Sequence, residues 1–216
     1  MQRRLTLHAA ALAAAALLAA CSGQSPAAPN ALGLESVADG SSQTAQAADR
    51  STAPMRTFPA GVELAGTSSL VRTDQGISTT VRATGLTPGH ASTIWFVVFN
   101  DPGACSDGIC DVQDVLANRG VPAVRFGAGH VIGESGQANF GGHLAVGNTG
   151  GPPCAAGPAL GSCGPGLLDA RTAVVHMVIR THGAAIPELV SDQISSFNGG
   201  CPPNACANVQ FAEHRP

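Results

Sequence analysis

Three histidines, His130, His143 and His176, have the side chains and the spacing that could bind a transition metal. His130 and His143 flank the turn sequence GESGQ, and a tight hairpin there would place them on the same face of adjacent strands. His176 lies in another strand-like segment and could complete the set. Three imidazoles with an open position are a known arrangement for zinc and copper. The pattern therefore predicts either a copper or zinc site, or ordinary structural and surface roles for these residues.

A second histidine pair, His176 and His182 in TAVVHMVIRTHG, does not form a chelate. In an extended strand their side chains are separated by roughly 20 Å, and Arg180 between them would repel a cation. Strand alternation instead predicts one core face and one mixed face. The core face holds Ala173, Val175, Met177, Ile179 and Thr181, and the mixed face holds Thr172, Val174, His176, Val178, Arg180 and His182.

Six of the seven cysteines fall in three short segments rich in Gly, Pro, Ala and Asn, namely CSDGIC, CAAGPALGSC and CPPNAC. A short loop brings its own ends together at a small entropic cost. Exported cysteines are also typically oxidised. We therefore predict three local disulfides that stiffen loops, Cys105–Cys110, Cys154–Cys163 and Cys201–Cys206. The alternative is a zinc site formed by the two C-x4-C pairs.

The composition excludes several classes of function. The formal net charge is -3, which gives no reason to expect nucleic acid as a partner. The chain has no lysine, so lysine-based catalysis is impossible, and no catalytic sequence motif occurs. Asp107, Asp111 and Asp114 crowd the first cysteine loop, where we expect a solvated acidic loop in preference to a calcium site. These observations favour a protein that is not an enzyme.

The N-terminal segment MQRRLTLHAAALAAAALLAAC has a positive region followed by an apolar one, the order of a secretory signal. Its end, LAAC, resembles the lipobox of bacterial lipoproteins, and the alternative is a plain signal peptide with a chance cysteine. The resemblance implies that residues 1–20 are removed and that Cys21 is acylated, with palmitate or a similar chain. The protein would then be anchored in a membrane of the bacterial cell envelope, on the extracytoplasmic side, whether periplasmic or surface-exposed. Residues 21–57 are predicted to be a flexible tether, and residues 58–216 a single domain.

From Phe58 onward, short β-rich segments alternate with turn clusters, a pattern typical of a sandwich or barrel. The segment ASTIWFVVFN is apolar on both faces, so we expect a central strand covered on both sides. We predict an all-β fold, an immunoglobulin-like or superoxide-dismutase-like antiparallel β-sandwich of about seven or eight strands with disulfide-closed loops. The expected strands lie near Val62–Val71, Gly76–Ala83, Ala91–Asn100, Val121–Gly133, Gln137–Val146, Thr172–Thr181 and Asn208–Glu213.

Four segments, GLTPGHASTIWFVVFN, GHVIGESGQANFGGHL, HMVIRTHG and QISSFNGGC, are together similar to a group of uncharacterised exported bacterial proteins. The similarity covers about Val62–His214 and implies an all-β domain. A looser similarity runs to the copper/zinc superoxide dismutase sandwich, although the H-x-H ligand pair of that family is missing. Two functions are expected: a lipid-anchored, non-enzymatic binding or structural module of unknown ligand without a cofactor, or a metal-binding protein that uses His130, His143 and possibly His176 for copper or zinc.

Overall fold

The alternating segments form eight β-strands in the computed structural model, which describes residues 47–152 and 163–216. Two short α-helices lie in the connections, and neither they nor any other helix in these ranges is long and apolar enough to span a membrane. The strands are β1 (Asp49–Thr57), β2 (Glu63–Thr73), β3 (Gly76–Ala83), β4 (His90–Phe99), β5 (Pro122–Val131), β6 (Ala138–Ala145), β7 (Val174–Ala184) and β8 (Ala207–His214), and the helices are α1 (Val112–Leu116) and α2 (Val190–Gln193).

All neighbouring strands are antiparallel, in the order β5-β4-β7-β8-β1-β2-β3-β6. The two ends of this order meet, because a Cβ atom added to Gly142 on β6 would lie only 3.3 Å from the Cα of Gly127 on β5. The sheet therefore folds over on itself and encloses a core of apolar side chains. The predicted antiparallel β-sandwich is confirmed, and one continuous sheet supplies both layers. Its large enclosed side chains include Phe96, Phe140, Met55, Leu70, Ile77 and Met177.

The predicted tether ends earlier than residue 57, because residues 49–57 form strand β1. This strand pairs with β2 from Asp49 onward, but it meets β8 only at Arg56 and Thr57. Its sequence, DRSTAPMRT, is largely polar, and its inward anchors are Ala53 and the fully buried Met55. So few apolar positions produce too weak an alternation to distinguish a strand from a linker.

Strand β4 is covered on both faces, as predicted. Phe96 faces the enclosed core, while Trp95 and Phe99 face a second apolar cluster on the outer side of the sheet. The first cysteine loop, α1 and Phe197 cover this outer cluster. The mixed face of β7 also points outward, since His176 and Arg180 are half-buried while Val175 and Met177 are fully enclosed.

Two of the predicted disulfides are present. Cys105–Cys110 and Cys201–Cys206 have Cα–Cα distances of 5.1 and 5.8 Å. Cys154, the expected partner of Cys163, lies outside the described residues. Because both C-x4-C pairs are closed internally, their sulfurs do not form a shared zinc site.

The expectation of a fully solvated acidic loop is wrong for Asp114, which is completely buried. Its carboxylate accepts hydrogen bonds from the backbone and hydroxyl of Ser106 and from the backbone of Asp111, at 2.8 to 3.2 Å. Although burial alone raises the pKa of Asp114, these hydrogen bonds and nearby Arg119 hold it below its ordinary value. Asp114 is thus a structural link inside the first cysteine loop.

Candidate ligand-binding site

The three histidines predicted as metal ligands do not converge. The ring of His130 on β5 is stacked on Phe140, with a centroid distance of 4.4 Å. His143 on β6 is exposed, and its Nδ1 lies 3.0 Å from the hydroxyl of Ser78. His176 on β7 lies beside β8, where its pairing partner is Glu213. Each imidazole therefore has its own separate surroundings.

The hairpin assumed between β5 and β6 is the reason for this error. The two strands are not hydrogen-bonded to each other, because β5 pairs with β4 and β6 pairs with β3. The turn between them instead crosses from one layer of the sandwich to the other, and Gly136 accepts a hydrogen bond from the backbone of Leu86. A turn sequence alone does not distinguish a hairpin from such a crossing.

One group of three potential metal ligands does occur within the described ranges, and it comprises His182, Cys201 and Cys206. One ligand atom from each residue lies within 4.8 Å of the other two. The two sulfurs are bonded to each other, however, so neither is available as a thiolate, which is the metal-binding form of cysteine. The distances between the three ligand atoms are suitable for a metal, but both sulfur atoms are already bonded in the disulfide.

Hydrogen bonds also define the protonation of His182. Its Nδ1 lies 3.0 Å from the carbonyl of Gly199, which can only accept, so Nδ1 carries the proton. Trp95 donates its indole N–H to the hydroxyl of Thr93 at 2.7 Å, and this hydroxyl in turn lies 2.9 Å from Nε2 of His182. The hydroxyl proton therefore points to Nε2. His182 is a satisfied internal residue that ties the Cys201–Cys206 loop to β4.

An opening with a mainly apolar lining lies on the outer face of β4, β7 and β8, with a volume of about 630 Å³. Its floor consists of side chains from the mixed face of β7 and its neighbours. The first cysteine loop with α1 forms one wall, the Phe197–Asn198 segment a second, and the β1–β2 turn a third. The floor residues are Val97, Phe99, Val124, His176, Val178 and Phe211.

Apolar side chains are exposed at the rim of this cavity. Ile109, Val112 and Leu116 line it and remain 52%, 42% and 48% exposed. Contiguous exposed apolar surface on a soluble domain commonly marks an interaction site. Since the first disulfide closes the loop that carries Ile109, the rim is held in place by a covalent link.

Arg180 and Arg56 are the two arginines that line the cavity, and Arg180 is the more enclosed of them because Arg56 is exposed. The guanidinium of Arg180 donates to the carbonyl of Phe197 at 2.7 Å and to the side-chain oxygens of Asn198 and Asn208 at 3.1 and 3.2 Å. It also lies over the ring of Phe197, 4.2 Å from the centroid. Burial lowers the pKa of Arg180, which nevertheless stays charged at neutral pH because the ordinary value for arginine is so high.

His176 and Glu213 form the other polar region of the floor. The Nε2 atom of His176 lies 3.9 Å from a carboxylate oxygen of Glu213, is excluded from solvent and has no hydrogen-bond partner. Burial lowers the pKa of His176, and the charge of Glu213 only partly opposes this effect. The imidazole is therefore neutral at neutral pH. Glu213 forms an ion pair with Arg215.

A second opening of about 420 Å³ lies where β1 and β8 diverge. Ser51 and His214 meet there, with the hydroxyl oxygen 2.8 Å from Nδ1, and Nε2 of His214 lies 2.9 Å from the hydroxyl of Ser68. The pair differs from a serine hydrolase triad because a second hydroxyl, rather than a carboxylate, orients the imidazole. These contacts join β1, β2 and β8 across the sandwich.

Comparison of the chain with protein-family models, with curated proteins and with solved structures finds no match. The class of protein is therefore defined by the fold and the site alone. It is an antiparallel β-sandwich with a disulfide-braced, largely apolar cavity on one outer face.

Sequence reasoning did not identify this cavity, although one signal was present. The mixed face of β7 places His176, Val178 and Arg180 side by side, and a strand face of that character indicates partial cover. The residues that provide the cover, such as Leu116 and Phe197, come from loops whose docking the sequence does not reveal.

Proposed function

We propose that this protein is a non-enzymatic binding module of the bacterial cell envelope that takes an apolar ligand into the cavity on the outer face of β4, β7 and β8. The size of the cavity supports this function, since about 630 Å³ falls in the range typical of small-molecule sites. A mainly apolar lining with a few polar groups is likewise the usual composition of such sites.

The buried tryptophan provides an assay that needs no label. Trp95 is the only tryptophan of the chain, and its ring lies 5.0 Å from that of Phe197, which lines the cavity. A ligand that displaces Phe197 should therefore change the Trp95 emission. We expect titration with decanol, a neutral apolar probe, to produce a saturable change.

A matched pair of variants locates the response. Val97→Phe adds volume to the cavity floor and should weaken decanol binding at least several-fold. Val131→Phe makes the same change on an exposed position of β5 outside the cavity, and should bind as the wild type does. Either the absence of any saturable response, or equal binding by both variants, would remove the proposal.

The membrane anchor is a second part of the proposed function, and its support is the LAAC sequence that ends an apolar leader. Acylated Cys21 would hold the domain at the membrane surface through more than one chain, as stable anchoring requires. In a bacterium that processes lipoproteins, an alkyne analogue of palmitate should label the protein. Cys21→Ser should abolish the label, and persistent labelling of that variant would contradict the anchor.

Metal binding is the second candidate function, favoured only by the proximity of His182, Cys201 and Cys206. It requires reduction of the disulfide by a dithiol, since two thiols must form before thiolates can bind zinc or copper. Elemental analysis of protein purified without a histidine tag separates the candidates. Stoichiometric zinc or copper in protein that has been reduced with a dithiol and then freed of it would support metal binding, whereas reduced protein that stays metal-free while the oxidised protein binds decanol supports the apolar site.

A further inference from the structure

The charges of the cavity are unevenly distributed along its floor. Arg180 pairs with Asn208 across the β7–β8 ladder, whereas His176, two positions away on the same face of β7, pairs with Glu213. Four residues of strand separate these two positions by roughly 13 Å. Arg180 and the half-buried Glu213 therefore lie at opposite ends of this stretch of the floor.

Both acids that line the cavity already have partners. Asp111 caps α1 and accepts hydrogen bonds from the backbone of Gln113 and Asp114. Glu213 forms an ion pair with Arg215. The charge of Asp111, like that of Glu213, acts on His176, so both acids belong to the His176 end.

Arg180, in contrast, has no counter-ion within residues 47–152 and 163–216. Its contacts there are a carbonyl, two side-chain amides and an aromatic ring, all uncharged. Three of its five N–H donors are used by these hydrogen bonds, and two remain. A partly buried guanidinium without an anion favours a ligand that brings one, because charge-assisted pairs between guanidinium and carboxylate are strong and geometrically specific.

We infer that the ligand of this cavity is an amphiphilic monocarboxylate, whose carboxylate binds Arg180 and whose alkyl or aryl body lies along Val178 and Val97 toward Leu116. This inference rests on the proposed function and specifies the chemistry of its ligand. The apolar walls accommodate the body, and the two free N–H groups of Arg180 receive the headgroup. The acids at the His176 end disfavour the reverse orientation.

Three probes with the same chain and different headgroups test the inference, namely decanoate, decanol and decylammonium. Binding to the wild-type protein is measured by Trp95 emission and by calorimetry at a mildly alkaline pH, where decanoate is ionised. We expect decanoate to bind about tenfold or more tightly than decanol, and decylammonium to bind more weakly than either.

Arg180→Gln should remove the preference for decanoate, so that decanoate and decanol bind to this variant with affinities within about twofold of each other. Arg82→Gln removes an exposed arginine on β3, outside the cavity, and should keep the full preference. If Arg180→Gln does not fold, the relative affinities of the three probes for the wild-type protein still test whether the ligand is a carboxylate. Equal binding of decanoate and decanol would overturn the inference and leave the apolar cavity standing. Failure of all three probes to bind would overturn the proposed function as well.

Discussion

Acidification should destabilise this fold through His214, the last residue of β8. The imidazole is almost completely buried, and both of its nitrogens are hydrogen-bonded to hydroxyls, those of Ser51 and Ser68. The carbonyl of His214 also accepts a hydrogen bond from the buried guanidinium of Arg72 at 3.1 Å. A proton added to this ring would therefore place a second positive charge in an interior that already holds one.

The sign and size of the effect follow from the pKa of His214. Burial, and next the charge of Arg72, lower this pKa from 6.5 to about 4 in the folded protein. As the pH falls below 6.5, the unfolded chain binds a proton that the folded protein does not, so the free energy of unfolding decreases. The loss is complete once the pH has fallen below about 4, and the pKa difference corresponds to about 3 kcal/mol.

Urea unfolding at several pH values between about 7 and 4, followed by Trp95 emission, measures this loss. His214→Gln keeps a donor and an acceptor for the two hydroxyls but does not titrate, so its stability should fall by about 3 kcal/mol less than that of wild type over the same range. His143→Gln, at an exposed position, is the matched control and should follow wild type. Equal losses in wild type and His214→Gln would refute the reasoning.

Two further buried polar links give predictions about the free energy of unfolding. Asp114→Asn places an amide against backbone N–H groups that need an acceptor, and should lower the free energy of unfolding by about 2 kcal/mol in chemical denaturation. The exposed Asp107→Asn is the control and should lower it by less than about 0.5 kcal/mol. Equal losses in the two variants would show that burial of Asp114 is not the cause. Thr93→Val removes the hydroxyl that joins two buried rings, and should cost about 2 kcal/mol and shift the emission of the adjacent tryptophan. Thr80→Val, on an exposed position of β3, should change neither quantity, and an unaltered Thr93→Val protein would contradict the bridge.

Much of the fold could be predicted because seven of the eight strands carry strong alternation or continuous apolar runs. Strand β4 is the clearest case, since both of its faces are apolar and both are indeed covered. Strand β1 escaped prediction because Met55 is its only large inward side chain, and its polar residues resemble those of a linker. Pairing with β2, rather than local propensity, makes this segment a strand.

The site was harder to predict than the fold because it depends on contacts between distant segments. His130 and His143 are close in sequence, but the turn between them crosses between layers and leaves β5 and β6 unpaired. Arg180 and Phe197 are brought together by a loop that folds back over β7, which no spacing in the sequence encodes. The disulfides Cys105–Cys110 and Cys201–Cys206 could be predicted from sequence spacing because the two cysteines of each pair lie within one short loop.

Methyl-resolved nuclear magnetic resonance with decanol tests the central claim most directly, because it reports where an apolar ligand lies. The account predicts saturable shifts with a single affinity for the methyl groups of Val97, Val178 and Leu116, which line the cavity. The methyl groups of Val131, exposed on β5 outside the cavity, should remain unchanged. Shifts spread evenly over the surface, or no shifts at all for Val97 and Val178, would contradict a ligand-binding cavity on this face of the sandwich.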